Sequence, residues 1–191
     1  YPAQVTVGHF APFAATIPQT AVDIKVNGVV AFSDVVYGNF VPNVALLPTT
    51  TTVEILPAGT STVALSGTLN LKSGAAYDLF AIGGANSQPL AFSTTQISTT
   101  APAGKALVTI GHLAPFDSNV NATAVDICTD SGVAIPGLTG IKYPQVAANL
   151  VLNPGPYNLK ITVAGTSCAT TAIDLPPFRL FAGEIADAFA I

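Results

Sequence analysis

Apolar and polar residues alternate over short segments throughout the chain, with the period of two that is typical of half-buried β-strands. In Ala21–Val26, for example, the apolar side chains alternate with Asp23 and Lys25. Asn27-Gly28 follows, which is the strongest short signal for a two-residue hairpin turn. Further strand candidates, among them Val35–Phe40 and Tyr157–Val163, are separated by Gly, Pro or Ser-Gly breaks, and no segment keeps an apolar period of 3.6 residues. The pattern therefore predicts an all-β protein built from β-sandwiches.

Two sequence blocks occur twice at one spacing. GHFAPF at 8–13 returns as GHLAPF at 111–116, and TAVDI at 20–24 returns unchanged at 123–127, each at an offset of 103 residues. A shared offset indicates two copies of one module of about a hundred residues, which is an ordinary size for a small domain.

The repeat predicts three parts: a first β-sandwich over residues 1–97, a linker over residues 98–105 and a second β-sandwich over residues 106–191. After Ile82 the first repeat continues into another strand candidate, whereas the second repeat has no equivalent after Ile191. The second sandwich is therefore predicted to lack its final strand and to have an open edge. Two interpretations stay open: a neighbouring molecule covers this edge, or the strand is peripheral and the second repeat closes differently.

Charged residues are rare. They make up 8% of the chain, against about 25% in an average soluble domain. Such a surface favours coverage by other copies of the chain or by sugar; the alternative is a neutral extracellular protein rich in Thr and Ser. The six Lys and Arg residues form no basic stripe, which argues against a nucleic-acid partner. Polar residues interrupt every apolar run, so no membrane span is expected.

The two cysteines, Cys128 and Cys168, both lie in the second repeat, where the first repeat has Lys25 and Thr62. A bridge between them would close a loop of about 41 residues and contribute roughly 4 kcal/mol. Two free buried thiols and bridges between chains are the alternatives. Because disulfides persist in oxidising compartments, we expect a secreted protein, extracellular or at the cell surface, in its mature form after removal of a signal peptide.

The only histidines, His9 and His112, occupy the same position of the two repeats, and so do Asp23 and Asp126. A His–Asp pair in each repeat would be the beginning of a catalytic or metal site. The sequence offers no nucleophile elbow, no third ligand at metal spacing and no Gly-rich phosphate loop. We therefore interpret the four residues as a repeated structural polar pair and predict no enzyme activity, cofactor or metal.

Two features bear on sugars. Asn121-Ala122-Thr123 is the only sequon for N-glycosylation. Exposed aromatic side chains would offer platforms for sugar stacking, the alternative being that they fill the cores. The candidates are Tyr37, Phe40, Phe92, Tyr143 and Phe178.

The segments VTVGHFAPF…TAVDIKVNGVVAF…VVYG and VTIGHLAPF…TAVDICTDSG resemble domain-of-unknown-function family 4397. Its usual pattern is roughly VRVVHASPDAPAVDVYVNG, followed by a strand, a YG and a PAGTY-type turn. The chain departs from this pattern at Phe13 and Phe116, where Asp is usual. The resemblance implies immunoglobulin-like sandwiches on microbial surfaces and implies no catalytic activity.

These observations predict two tandem antiparallel β-sandwich domains, immunoglobulin-like as the resemblance implies. The favoured function is a structural subunit of an extracellular filament or surface layer, assembling head to tail through sheet edges and uncharged surfaces, with copies of itself as partners. A head-to-tail contact that does not close into a ring builds a filament. The alternative is a cell-surface adhesin or a module that binds glycans or proteins. An enzyme using either histidine is the third hypothesis, and no motif favours it.

Overall fold

The computed structural model describes residues 1–191. The chain folds into two compact units, Tyr1–Ile97 and Ser98–Ala190, called unit 1 and unit 2 below. Residues 98–105, the predicted linker, lie within the range of unit 2. The Ser98 amide donates to Asn149 Oδ1 at 2.7 Å, and Lys105 Nζ donates to Asn153 Oδ1 at 2.6 Å. A Pro/Gly pattern indicates a turn but not its tertiary hydrogen bonds.

Unit 1 contains eight strands in two four-stranded sheets, with the orders β4-β1-β7-β8 and β3-β2-β5-β6. The strands are β1 Ala3–Phe10, β2 Val22–Val26, β3 Val29–Val35, β4 Phe40–Leu46, β5 Thr50–Pro57, β6 Leu65–Asn70, β7 Ala76–Ile82 and β8 Ala91–Ile97. All neighbouring strands are antiparallel except β1 and β7. These two are far apart in sequence, so the intervening strands make the crossover that a parallel pair requires.

The core of unit 1 lies between the two sheets, as the alternation predicts. Val5, Val7 and Leu79 face it from one sheet, and Val22 and Ile24 face it from the other. Successive side chains of a strand point to opposite faces. Asp23, between Val22 and Ile24, is therefore directed away from this core.

The predicted strand Val35–Phe40 does not form. Val35 ends β3 and Phe40 begins β4, with Gly38 at φ +87° between them. This left-handed backbone suits glycine and lets the chain pass from one sheet to the other.

Unit 2 also contains eight strands, but its sheets are smaller: β11-β9-β16, β10-β13-β14 and β12-β15. The strands are β9 Ala106–His112, β10 Val125–Thr129, β11 Val146–Leu152, β12 Gly155–Tyr157, β13 Leu159–Val163, β14 Thr171–Asp174, β15 Phe178–Leu180 and β16 Ile185–Ala190. The predicted strand Tyr157–Val163 is split, because Tyr157 pairs with β15 while Leu159 pairs with β10. The core is correspondingly divided into two clusters, around Ile127 and around Val108.

The only helices are two 3₁₀ turns of four residues, Ile17–Thr20 and Val120–Thr123. Neither approaches the length of a membrane-crossing helix, and the structure contains no helix that would serve as one.

Candidate functional site

Each histidine lies at or near the end of the first strand of its unit and is almost fully buried, with 1% exposure for His9 and 4% for His112. His9 Nε2 is 2.8 Å from the Thr20 carbonyl oxygen, and His112 Nε2 is 2.9 Å from that of Thr123. Since a carbonyl oxygen only accepts, Nε2 carries the proton in both rings. Nδ1 of His9 accepts from the Ala11 amide at 3.4 Å.

Both imidazoles are uncharged at neutral pH. Burial lowers the pKa of His9 and of His112 below the ordinary value of 6.5, and the hydrogen bond to the carbonyl oxygen offsets only part of this effect. The rings also stack on aromatic neighbours, at centroid distances of 5.6 Å to Phe13 and 5.4 Å to Phe116. These are the two positions where the family pattern has Asp. The phenyl rings thus help to shield the imidazoles from water.

The threonines continue each network. Thr20 Oγ1 donates to the Ile17 carbonyl oxygen and accepts from the Tyr37 amide at 2.9 Å. In unit 2, Thr123 Oγ1 accepts from the Tyr143 amide, also at 2.9 Å. Both threonines are buried. We did not predict them as site residues, although they open the repeated TAVDI block, which was the available signal.

The aspartates do not contact the histidines, and each carboxylate accepts from backbone amides of its own. Asp23 accepts from the amides of Asp34 at 3.2 Å and Gly59 at 3.1 Å. The reason is the alternation of β2, which directs Asp23 away from the core and toward the end of β3 and the turn at Gly59. The carboxylate therefore holds the end of β3 and this turn in place and is not available to orient an imidazole.

Asp126 has the same role in unit 2. Its carboxylate accepts from the Gly140 amide at 2.7 Å and from the Gly165 amide at 3.2 Å. His112 has its own backbone partner in Thr123. The four repeated polar residues thus form two separate arrangements in each unit, both directed at backbone groups.

Cys128 and Cys168 form the predicted disulfide, with an S–S distance of 2.04 Å and a Cα–Cα distance of 6.0 Å. Both residues are buried, and the chain has no free cysteine. The bridge joins β10 to the loop between β13 and β14. It therefore links two parts of unit 2 that are distant in sequence.

Asn121 is exposed and its Oδ1 accepts from Lys142 Nζ at 2.7 Å. Thr123 of the same sequon is fully buried at 0% exposure, with its hydroxyl engaged as described. The folded chain thus presents the asparagine but not the threonine, so we expect any glycosylation at Asn121 to precede folding.

The outer edge of β16 is the main difference between the units. In unit 1, β7 lies between β1 and β8, with Asp78 opposite Thr6 on one side and Thr95 on the other. In unit 2, β16 pairs with β9 in the same parallel manner, Asp187 opposite Thr109, but the sheet ends there. Within residues 1–191, no strand pairs with the other edge of β16, which is called the open edge below.

Alternate backbone groups of β16 point to this open edge. The Leu113 amide donates to the Ala190 carbonyl oxygen at 2.8 Å, so the even-numbered residues of β16 face β9. Since the N–H and C=O of one residue of a parallel strand point to the same side and neighbouring residues alternate, the odd-numbered ones face outward. These are Ile185, Asp187 and Phe189.

Comparison with known proteins gives one family. Residues 3–123 match the family model described as "Domain of unknown function (DUF4397)", which spans unit 1 and continues through β9 to the 3₁₀ turn ending at Thr123. No curated protein matches the chain. The match covers more than half of the sequence, and it includes His9, Asp23 and their partners. The chain therefore belongs to the DUF4397 family.

Proposed function

We propose that this protein is a structural subunit of an extracellular filament or surface layer, in which copies join head to tail. The observation that carries this proposal is the open edge of β16, with which no strand of residues 1–191 pairs. The corresponding edge of β7 is covered along its whole length by β8, with Ala76 opposite Ile97 and Ile82 opposite Ala91. A strand from a second copy, placed on β16 as β8 is on β7, would pair the outward backbone groups.

The surface of unit 2 supports burial against another molecule. Its exposed apolar side chains extend over several strands and loops, and the chain has few charges to oppose association (8%). Scattered apolar residues are normal on any protein, but many in a small unit with an open edge favour an interface. The residues are Phe116, Val120, Val133, Val151, Val163, Ile173, Phe178, Phe181 and Ile185.

We further propose that unit 2 is a second copy of the family domain, immunoglobulin-like as the family resemblance implies. The parallel first pair, the His–Thr hydrogen bonds and the aspartates that accept from two backbone amides support this, since each occurs in both units. The protein is proposed to be secreted, because a buried disulfide suits an oxidising compartment.

A proline in β16 tests the assembly. The Asp187 amide points to the open edge, so Asp187→Pro removes a donor that β9 does not use, while it blocks the pairing of an added strand. Asp187→Ala is the matched control, since it removes the same carboxylate and keeps the amide. We expect wild type and Asp187→Ala to form filaments or sheets in negative-stain microscopy and Asp187→Pro to remain dispersed.

Two outcomes would contradict this proposal. A wild-type chain that stays a monodisperse monomer at high concentration contradicts the assembly, and assemblies of Asp187→Pro equal to those of the control contradict the role of this edge. Hydrogen exchange of the β9 amides verifies that the proline variant is folded.

A further inference from the structure

Unit 1 has a cleft that the assembly proposal does not use. It is an open cleft of ≈ 320 Å³ between the end of β3 and the start of β4. Its lining includes Ser33, Asp34, Asn39 and Phe40. This volume is at the lower end of the range for small-molecule sites, so the cleft has room for a single small ring.

The polar side chains of the cleft are not used by the fold. The Ser33 hydroxyl, the Asp34 carboxylate and the Asn39 side-chain amide make no hydrogen bond within the chain. Phe40 beside them is 57% exposed. The cleft therefore offers acceptors, donors and an apolar ring face together to a ligand.

The backbone of the cleft is fixed, although its side chains are free. At one end, Asp23 accepts from the Asp34 amide at 3.2 Å. At the other, the Gly38 amide donates to the His9 carbonyl oxygen at 2.8 Å, and the His9 amide donates to the Asn39 carbonyl oxygen at 2.9 Å. The Tyr37 amide is held by Thr20. A fixed backbone lowers the cost of ordering the side chains when a ligand binds.

We propose that this cleft binds one neutral sugar ring of a glycan. A carboxylate and an amide together accept from and donate to neighbouring hydroxyl groups, and an aromatic face packs against the C–H face of a pyranose. Asp34 brings a negative charge, which disfavours anionic sugars. The site is independent of β16, so it exists whether or not the chain assembles.

Unit 2 provides an internal comparison. Gly140 takes the place of Asp34, since its amide donates to Asp126 as that of Asp34 donates to Asp23. Gln145 takes the place of Asn39, because its carbonyl oxygen accepts from the His112 amide at 2.9 Å.

The position that corresponds to Phe40 differs as well. Val146 lies opposite Gly111 as Phe40 lies opposite Gly8. The Gln145 side chain is already occupied, because its Oε1 accepts from the Lys142 amide at 2.8 Å. The same backbone frame thus exists in unit 2 without the carboxylate, without the aromatic ring and with the side-chain amide oxygen already engaged. The fold does not require the side chains that line the cleft of unit 1.

The test is an amide-resolved NMR titration of the full chain with methyl glycosides of glucose, galactose, mannose and N-acetylglucosamine. A site of this size is expected to bind one of them with a Kd on the order of 1 mM. The shifts should be saturable and confined to Ser33, Asp34, Asn39 and Phe40 with their neighbours. The amide resonance of Gly140, which occupies the corresponding position of unit 2, should not shift.

Two variants separate the cleft from general surface binding. Asp34 has φ +55°, and Asn tolerates this backbone, so Asp34→Asn removes the charge without strain. Phe40→Leu keeps an apolar side chain and removes the ring. Each should weaken binding by about tenfold or more, while Leu47→Ala, which alters an exposed apolar residue (76%) outside the cleft, should not.

Three results would overturn the proposal. The first is the absence of a saturable shift with any glycoside at concentrations well above the expected Kd. The second is equal binding by the two cleft variants and the Leu47→Ala control, and the third is a shift at the cleft on addition of CaCl₂ alone, which would indicate a cation site.

Discussion

His9 donates from Nε2 to the carbonyl oxygen of Thr20 across a distance of 2.8 Å, and both residues are buried. The same threonine accepts from the Tyr37 amide. Through Thr20, the imidazole therefore helps to fix the loop that leads into β4. His112 and Thr123 have this relationship in unit 2. Both imidazoles stay neutral because burial disfavours the cationic form and lowers the pKa.

Acid should weaken both units through these histidines. Their folded pKa lies below the unfolded value of about 6.5, so the unfolded chain binds more protons and stability falls as pH decreases. The histidine contribution is complete above the unfolded pKa and is lost progressively from there down to the folded pKa. Urea-unfolding midpoints measured at a series of pH values between about 5 and 7.5 should show this loss.

The matched variants are His9→Gln and His112→Gln, whose amide can still donate but does not titrate in this range. Each should reduce the pH dependence of its own unit. A pH dependence that is unchanged in the double variant would contradict the assignment.

Thr20→Val should destabilise unit 1 by about 2–3 kcal/mol, because it leaves the Tyr37 amide without its buried acceptor. Thr20→Ser keeps the hydroxyl and loses only a methyl group, so its cost should be about 1 kcal/mol. Chemical denaturation measures both. Equal losses of unfolding free energy in Thr20→Val and Thr20→Ser would show that packing, not the hydrogen bond, dominates at this position.

Removal of the disulfide by Cys128→Ser with Cys168→Ser should destabilise unit 2 by roughly 4 kcal/mol. Unit 1 contains no cysteine, so its stability should be unchanged. Hydrogen exchange with peptide-level resolution reports on the two units separately. Similar losses of protection in both units would contradict an effect confined to unit 2.

Gly8 and Gly111 should differ in their tolerance of alanine. A Cβ on Gly8 would lie 2.7 Å from Phe80, and one on Gly111 would lie 2.6 Å from Phe189. Phe80 is buried at 3% exposure, whereas Phe189 is only partly buried and lies on the edge strand β16.

The ring of Phe189 therefore has more room to move. Gly8→Ala should cost about 1–3 kcal/mol and Gly111→Ala less, as measured by the unfolding midpoint of each unit. A larger loss for Gly111→Ala would contradict this view of β16 as an uncovered strand.

Much of the fold was predictable from local pattern. The alternation in Ala21–Val26 and the Asn27-Gly28 signal identified β2 and the turn into β3, because such a pattern reports directly which face is buried. The lone cysteine pair in one repeat likewise predicted Cys128–Cys168.

The hydrogen-bond partners were less accessible. His9 and Asp23 recur together in the sequence, which suggested a pair, but spacing along the chain does not reveal that a backbone carbonyl 11 residues away accepts from the imidazole. The end of β3 at Val35 was also missed, since Val35–Phe40 is apolar enough to resemble a strand. The cleft was not predicted either, because its position depends on where the chain turns from one sheet to the other.

The most direct test of the assembly is residue-resolved hydrogen exchange of β16 in dispersed and in assembled protein. In dispersed protein, the amides of Ala186 and Ala188, which face β9, should exchange slowly, and those of Asp187 and Phe189, which face the open edge, should exchange fast. We predict that assembly slows Asp187 and Phe189 to the rates of their neighbours. If these two amides exchange as fast in the assembled material as in the dispersed chain, no strand covers this edge and the central proposal is contradicted.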